Sequence, residues 1–132
     1  MTYLLDISAL IALLWDLHVH NERVTQWQQT ESLAVCPLTE LGFLRISTQP
    51  SFGATVAEAR EMLRDWERAR RPQLLPCDLK ALETDAPPTG TRTTDFYLAS
   101  LADKHGMRLA TLDESIGHKA AFLIPHQKQP ST

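Results

Sequence analysis

The stretch from Thr93 to Asp113 constrains this chain most: it reads as a helix, a glycine stop and a short buried strand. Leu98, Leu101, Ala102 and His105 recur at helical spacing with Tyr97 beside them, which gives one largely apolar face. Gly106 stands where a left-handed cap is expected, a conformation that glycine adopts without steric cost. Arg108-Leu109-Ala110-Thr111-Leu112 is short, mostly apolar and followed by acids, as a central parallel strand would be. Asp95 opens the helix and Asp113 closes the strand. Folding the strand back beside the helix brings the two carboxylates to one edge of a sheet.

The same alternation runs through the rest of the chain. Tyr3-Leu4-Leu5 predicts a first interior strand, ended by Asp6. Ile7, Leu10, Ile11 and Leu14 then follow at i, i+3, i+4 and i+7, with Ala9, Ala12 and Leu13 making the other faces apolar, so a buried helix is expected. A helix directly after a strand opens a βαβ unit. Glu22 to Thr30 reads as a surface helix anchored by Val24 and Trp27. Leu33–Cys36 reads as a second strand, and Leu38–Ile46 as a helix with Glu40 in its first turn.

A long amphipathic helix is expected from Thr55 to Arg70. Val56, Ala59, Leu63 and Trp66 should face inward. Arg60, Arg64, Arg68 and Arg71 form a basic ridge interleaved with Glu58, Glu61, Asp65 and Glu67, a spacing that suits salt bridges on a solvated face. Gln73–Cys77 suits an edge strand because of its proline. Asp78–Thr84 and Glu114–Ala121 suit short helices, and Phe122–Ile124 a last strand. Residues 126–132 are expected to form a frayed polar tail. The fold class is therefore α/β, one domain over 1–132 built on a parallel sheet flanked by helices.

In an open parallel sheet the ligand crevice lies at the carboxyl ends of the strands. Asp6, Glu40, Asp95 and Asp113 would converge there from four remote parts of the chain. Each alone could be a helix cap or a favourable charge in a first turn. Together, four ionised carboxylates repel and raise one another's pKa unless a cation lies between them. Mg²⁺ or Mn²⁺ suits such all-oxygen ligands, and ions held this way activate a water and stabilise both oxygens of a phosphoryl displacement. Ser8 and Thr111, each two residues from an acid, are placed to orient carboxylates or waters. Arg92, beside the site, is a candidate phosphate contact.

Composition narrows the partners. Thirteen Lys and Arg against sixteen Asp and Glu give a net charge of −3, which argues against holding nucleic acid by bulk positive field alone. Cys36 and Cys77 have no metal-type spacing and are expected to be buried free thiols, fitting a reducing compartment. No segment approaches the roughly 20 apolar residues of a membrane span, so a cytoplasmic protein is expected. No Gly-x-Ser-x-Gly elbow and no phosphate-binding glycine pattern occurs. His18 and His20 read as a polar loop after a helix. Trp15, Trp27 and Trp66 read as packing residues.

Four blocks in order carry a resemblance: Leu4-Leu5-Asp6-Ile7-Ser8-Ala9-Leu10, Cys36-Pro37-Leu38-Thr39-Glu40, Thr94-Asp95-Phe96-Tyr97-Leu98-Ala99-Ser100-Leu101-Ala102 and Leu109-Ala110-Thr111-Leu112-Asp113. They resemble the PIN-domain ribonucleases, and among these the VapC toxins of type II toxin–antitoxin modules, from Leu4 to about Ile124. The resemblance implies a three-layer α/β/α fold, an acid quartet at Asp6, Glu40, Asp95 and Asp113 that binds Mg²⁺ or Mn²⁺, and cleavage of RNA. It also implies a homodimer and a VapB-like antitoxin whose C-terminal segment covers the cleft. Ile7 departs from the small or polar residue common after the first acid. Two rivals share the acids: a PIN-like binding module without catalysis, and a phosphoacceptor signalling domain, which would need a lysine just past its last strand where this chain has Pro125-His126-Gln127, with Lys128 coming late.

Overall fold

In the computed structural model, which describes residues 1–127, five parallel strands form one sheet. They are β1 (Thr2–Leu5), β2 (Ser32–Val35), β3 (Gln73–Leu74), β4 (Arg108–Thr111) and β5 (Ala121–Leu123), in the spatial order β3-β2-β1-β4-β5. Five helices flank them: α1 (Ile7–Leu14), α2 (Asn21–Gln28), α3 (Pro37–Ser47), α4 (Val56–Arg70) and α5 (Thr93–Lys104). The expected flexibility of the tail concerns residues that lie mostly outside those described.

The central strands are covered on both faces, which is why their sequences are continuously apolar rather than alternating with polar residues. Pleating sends neighbouring residues to opposite layers. Leu4 of β1 and Leu109 of β4 pack under α5 with Leu98 and Leu101. Leu5 and Ala110 point to the other face, against Leu10, Phe43 and Leu63 of α1, α3 and α4. The result is the expected three-layer arrangement. Tyr3, Trp27 and Phe122 close one end of the second core, with ring centroids 4.8 to 5.9 Å apart.

Local signals set the element ends. Asp6 caps α1 by accepting the Ala9 N–H, and Thr55 with Glu58 forms a capping box at the start of α4. Pro37 starts α3 at its first position, where a missing N–H is harmless. The Thr39 hydroxyl locks that turn: it accepts the Cys36 N–H at 3.0 Å and donates to the Cys36 carbonyl at 2.9 Å. Gly106 has φ +70° just after α5, as expected of a left-handed cap. Arg70 ties the end of α4 to the carbonyls of Gln28 and Glu31, bringing α4 alongside the α2–β2 link.

Several local expectations differ from the structure. Residues 114–120 form turns rather than a helix, because Gly117 takes φ +76° and the segment is organised by side-chain turns at Asp113 and His118. Asp78–Thr84 holds only one 3₁₀ turn, at Ala81–Glu83. Val56 is 61% exposed, since the capping box turns the first turn of α4 away from the core, whereas Ala59 and Leu63 are buried. Cys36 is buried but Cys77 is exposed, lying past the short edge strand β3. No helix among the described residues is long and apolar enough to cross a membrane.

Candidate active site

The strand order reverses between β1 and β4: β2 and β3 were added on one side of β1, β4 and β5 on the other. A crevice outside the carboxyl ends of these two strands is where an open α/β sheet binds ligands. Asp6 is the first residue past β1, held to the sheet by its N–H donating to the Ala110 carbonyl at 3.0 Å. Its Oδ1 accepts the Ala9 N–H and the Ser8 hydroxyl, both at 2.8 Å. The Thr111 hydroxyl steadies it as well. Burial pushes the Asp6 carboxyl up to about 6; the hydrogen bonds from Thr111, Ala9 and Ser8 oppose that rise, and the charge of nearby Asp95 adds to it.

Asp113 follows β4 by two residues. Its N–H donates to the Thr111 hydroxyl oxygen at 3.0 Å, so one hydroxyl links the two acids. Asp113 Oδ1 accepts the Ser115 N–H at 2.9 Å and the Ser115 hydroxyl at 2.6 Å, and its Oδ2 accepts from Arg92 Nη1 at 2.6 Å. These contacts, Ser115 before Arg92, hold the carboxyl down at about 2. Asp113 therefore organises a turn instead of capping a helix. Asp95 lies in the first turn of α5, and its Oδ2 accepts from the same Arg92 Nη1 at 3.1 Å. The guanidinium also donates to Ser115. Arg92 ends a 3₁₀ turn at Gly90–Arg92 that runs straight into α5, which is how a loop residue comes to lie between two acids.

Glu40 lies in the first turn of α3, just past β2, and its carboxyl meets Glu67 of α4. Burial, then the hydrogen bond and charge of Glu40, push the Glu67 carboxyl up to about 7, and Glu67 Oε2 is buried without a partner. The sequence reading left Glu67 on the solvated ridge. The signal that would have found it is its place at i+8 from Ala59 and i+4 from Leu63, on the buried stripe.

Between α3 and α4 runs a groove of about 430 Å³ in which Glu40 and Glu67 face Arg60 and Arg64. Among the described residues none of the ridge arginines has an acid within 4.0 Å, so the expected salt-bridged face is not formed. Asp103, eight residues past Asp95, pairs with Lys119 at 3.7 Å on the surface.

Asp6, Asp95 and Asp113 are thus brought to one edge, with Asp95 near enough to act on the charge of Asp6, while Glu40 pairs with Glu67. Among the described residues no three His, Cys, Asp or Glu side chains are drawn in tightly enough to close on a metal. The donor chemistry nevertheless fits a hard divalent cation: every candidate ligand is a carboxylate, and a positive guanidinium already stands between two of them.

The comparisons with known proteins bear on the same fold. Residues 3–121 match the PIN domain family. Ribonuclease VapC38 of Mycobacterium tuberculosis is 38% identical over 121 residues, covering 86% of each chain. Ribonuclease VapC29 of the same organism is 33% identical over 132 residues, 95% of this chain and 98% of the relative. Ribonuclease VapC44, also from that organism, is 33% identical over 126 residues, covering 88% and 89%. With its parallel sheet, its acids at the β1–β4 edge and full-length similarity to these proteins, the chain belongs to the PIN-domain family, in its VapC branch.

Proposed function

We propose that this protein is a divalent-metal-dependent endoribonuclease, the toxin of a toxin–antitoxin pair acting in the cytoplasm. The observation that carries the reading is the gathering of Asp6, Asp95 and Asp113 at the point where the strand order reverses, with Arg92 bridging two of them. The ribonuclease names of relatives matching nearly the whole chain support it. Asp6, Glu40, Asp95 and Asp113 would hold Mg²⁺ or Mn²⁺, with Glu40 exchanging its contact to Glu67 for the ion. When bound, such an ion activates water and offsets the negative charge that builds on a phosphodiester under attack.

The protein's own groups do the rest. Ser8 and Thr111 fix the Asp6 carboxylate, and Ser115 fixes that of Asp113. Arg92, once released from the acids, is placed to meet the scissile phosphate. Arg60 and Arg64, across the groove from Glu40, offer two more phosphate contacts on an otherwise acidic protein. A VapB-like antitoxin is the partner that this reading requires, and a homodimer the assembly.

The test uses purified protein and single-stranded RNA with Mn²⁺. Asp6→Asn and Asp95→Asn should each lower cleavage by about 100-fold or more while the far-ultraviolet spectrum is unchanged, and calorimetry should show weakened Mn²⁺ binding. Cleavage by Asp6→Asn at the parental rate would overturn the mechanism. Absence of Mn²⁺ binding to the parent at millimolar metal would favour the catalytically inert alternative.

A further inference from the structure

A second cleft, about 500 Å³, opens beside the acids, and most of its lining has no part in the reaction proposed above. Ser8 and Asp113 line one end of it, His18 and His20 contribute from the α1–α2 loop, and Phe52 and Leu112 belong to its apolar wall. Ser8 donates to Asp6, and Asp113 pairs with Arg92, so the cleft is continuous with the site.

Its aromatic lining is pre-organised. Phe52 packs on Trp15 at 5.1 Å between ring centroids, and the Trp15 indole N–H is anchored on the Ser47 hydroxyl at 3.0 Å. The His18 and His20 rings lie 5.8 Å apart. His18 Nδ1 accepts the His20 backbone N–H at 3.0 Å, which puts the proton of a neutral His18 ring on Nε2. Among the described residues, His18 Nε2 and both ring nitrogens of His20 have no protein partner, so donors and acceptors are free beside the apolar wall. Burial and the neighbouring His20 lower the His18 pKa, so its ring is neutral at neutral pH.

An aromatic cleft with unused ring nitrogens, running into an acid edge suited to a phosphate-bound cation, matches one occupant: an unstacked nucleobase attached to a phosphate at that edge. Single-stranded RNA is held by stacking on Phe, Tyr, Trp or His, and by hydrogen bonds to base edges. We propose that this cleft is a base-binding subsite, in which His18 and His20 grip the nucleobase flanking the scissile phosphate of single-stranded RNA. The inference rests on the ribonuclease reading, and it makes the two histidines specificity-determining rather than catalytic residues.

The experiment uses the full chain with Mn²⁺ and an oligoribonucleotide that the parent cleaves. In a matched set, one nucleotide at a time on either side of the cleaved bond is made abasic. His20→Ala removes a ring with no protein hydrogen bond, and His18→Asn removes a ring while keeping an acceptor for the His20 N–H. Each should weaken RNA binding about tenfold, measured by anisotropy in the Asp6→Asn background, and the double variant more. Mn²⁺ affinity should not change.

One abasic position should cost the parent a similar factor and cost the double variant nothing further. Unchanged RNA affinity in both variants, an equal abasic penalty in the parent and the double variant, or a parallel loss of Mn²⁺ affinity would each overturn the subsite. So would variants that lose only the binding of an antitoxin. If the parent binds Mn²⁺ but cleaves no RNA, the ribonuclease reading fails instead, and the binding measurements still judge the cleft.

Discussion

Arg92 shows how one residue can occupy a place that the sequence assigns to something else. A guanidinium between two carboxylates, 2.6 Å from one and 3.1 Å from the other, neutralises them as a divalent ion would. Arg92 and both its partners are partly exposed, so solvent screens the interaction and it is modest. Removing it therefore has a signed consequence. Arg92→Met should tighten Mn²⁺ binding by about two- to tenfold in calorimetry, because the competing cation is gone. It should also slow cleavage, because a phosphate contact is lost. Weaker Mn²⁺ binding would show that Arg92 assembles the acids rather than competing for them.

At the scale of elements, α1 and α3 cross at a point that admits no side chain on one of them. A Cβ at Gly42 would stand 2.3 Å from Ile7 Cδ1 and 2.5 Å from Cγ1, and Ile7 is stiff at its branched Cβ. Gly42 is thus required by contact, with no unusual backbone angle behind it. Ile7, the departure from the family pattern noted in the sequence, is what fills the space. Gly42→Ala should destabilise the protein by roughly 1–3 kcal/mol in urea unfolding. Because Ile7 adjoins Asp6, cleavage should fall as well. Adding Ile7→Ala should restore part of both, with a coupling of about 1 kcal/mol or more. Simple additivity of the two changes would refute the account. The elements were largely legible: β1, α1, α5 and β4 fall within a residue or so of expectation, because their periodicity and caps agree. The segment from Glu114 to Ala121 was not, since its side-chain turns mimic a short helical pattern.

For the molecule as a whole, the sheet is closed at its ends by contacts between residues far apart in sequence. Arg23 of α2, only 7% exposed, donates through Nε at 3.0 Å and through Nη2 to the carbonyl of Ile124, just past β5. That carbonyl has no ladder partner beyond the edge strand, so the arginine completes the sheet where the backbone cannot. Arg23→Met keeps the packing stem and strands the carbonyl. It should lower stability by about 2–3 kcal/mol, a fall in melting temperature on the order of 10 °C. Mn²⁺ affinity should not move, because the arginine joins α2 to the end of β5 and touches none of the four acids. A melting temperature within a degree of the parent would show that the contact carries no weight.

The sequence by itself determined the α/β alternation, the one-edge placement of Asp6, Asp95 and Asp113, and the nearness of Ser8 and Thr111 to those acids. Each is a local consequence of period, cap or spacing from a strand end. Only the tertiary structure decided that Arg92 would lie between Asp95 and Asp113, that Glu40 would face Glu67, and that His18 and His20 would line a cleft beside the site. Those outcomes depend on how α3 packs on α4 and how loops return to the sheet. Apart from Arg92–Asp95, these contacts join residues more than 20 positions apart, and no short-range pattern encodes them.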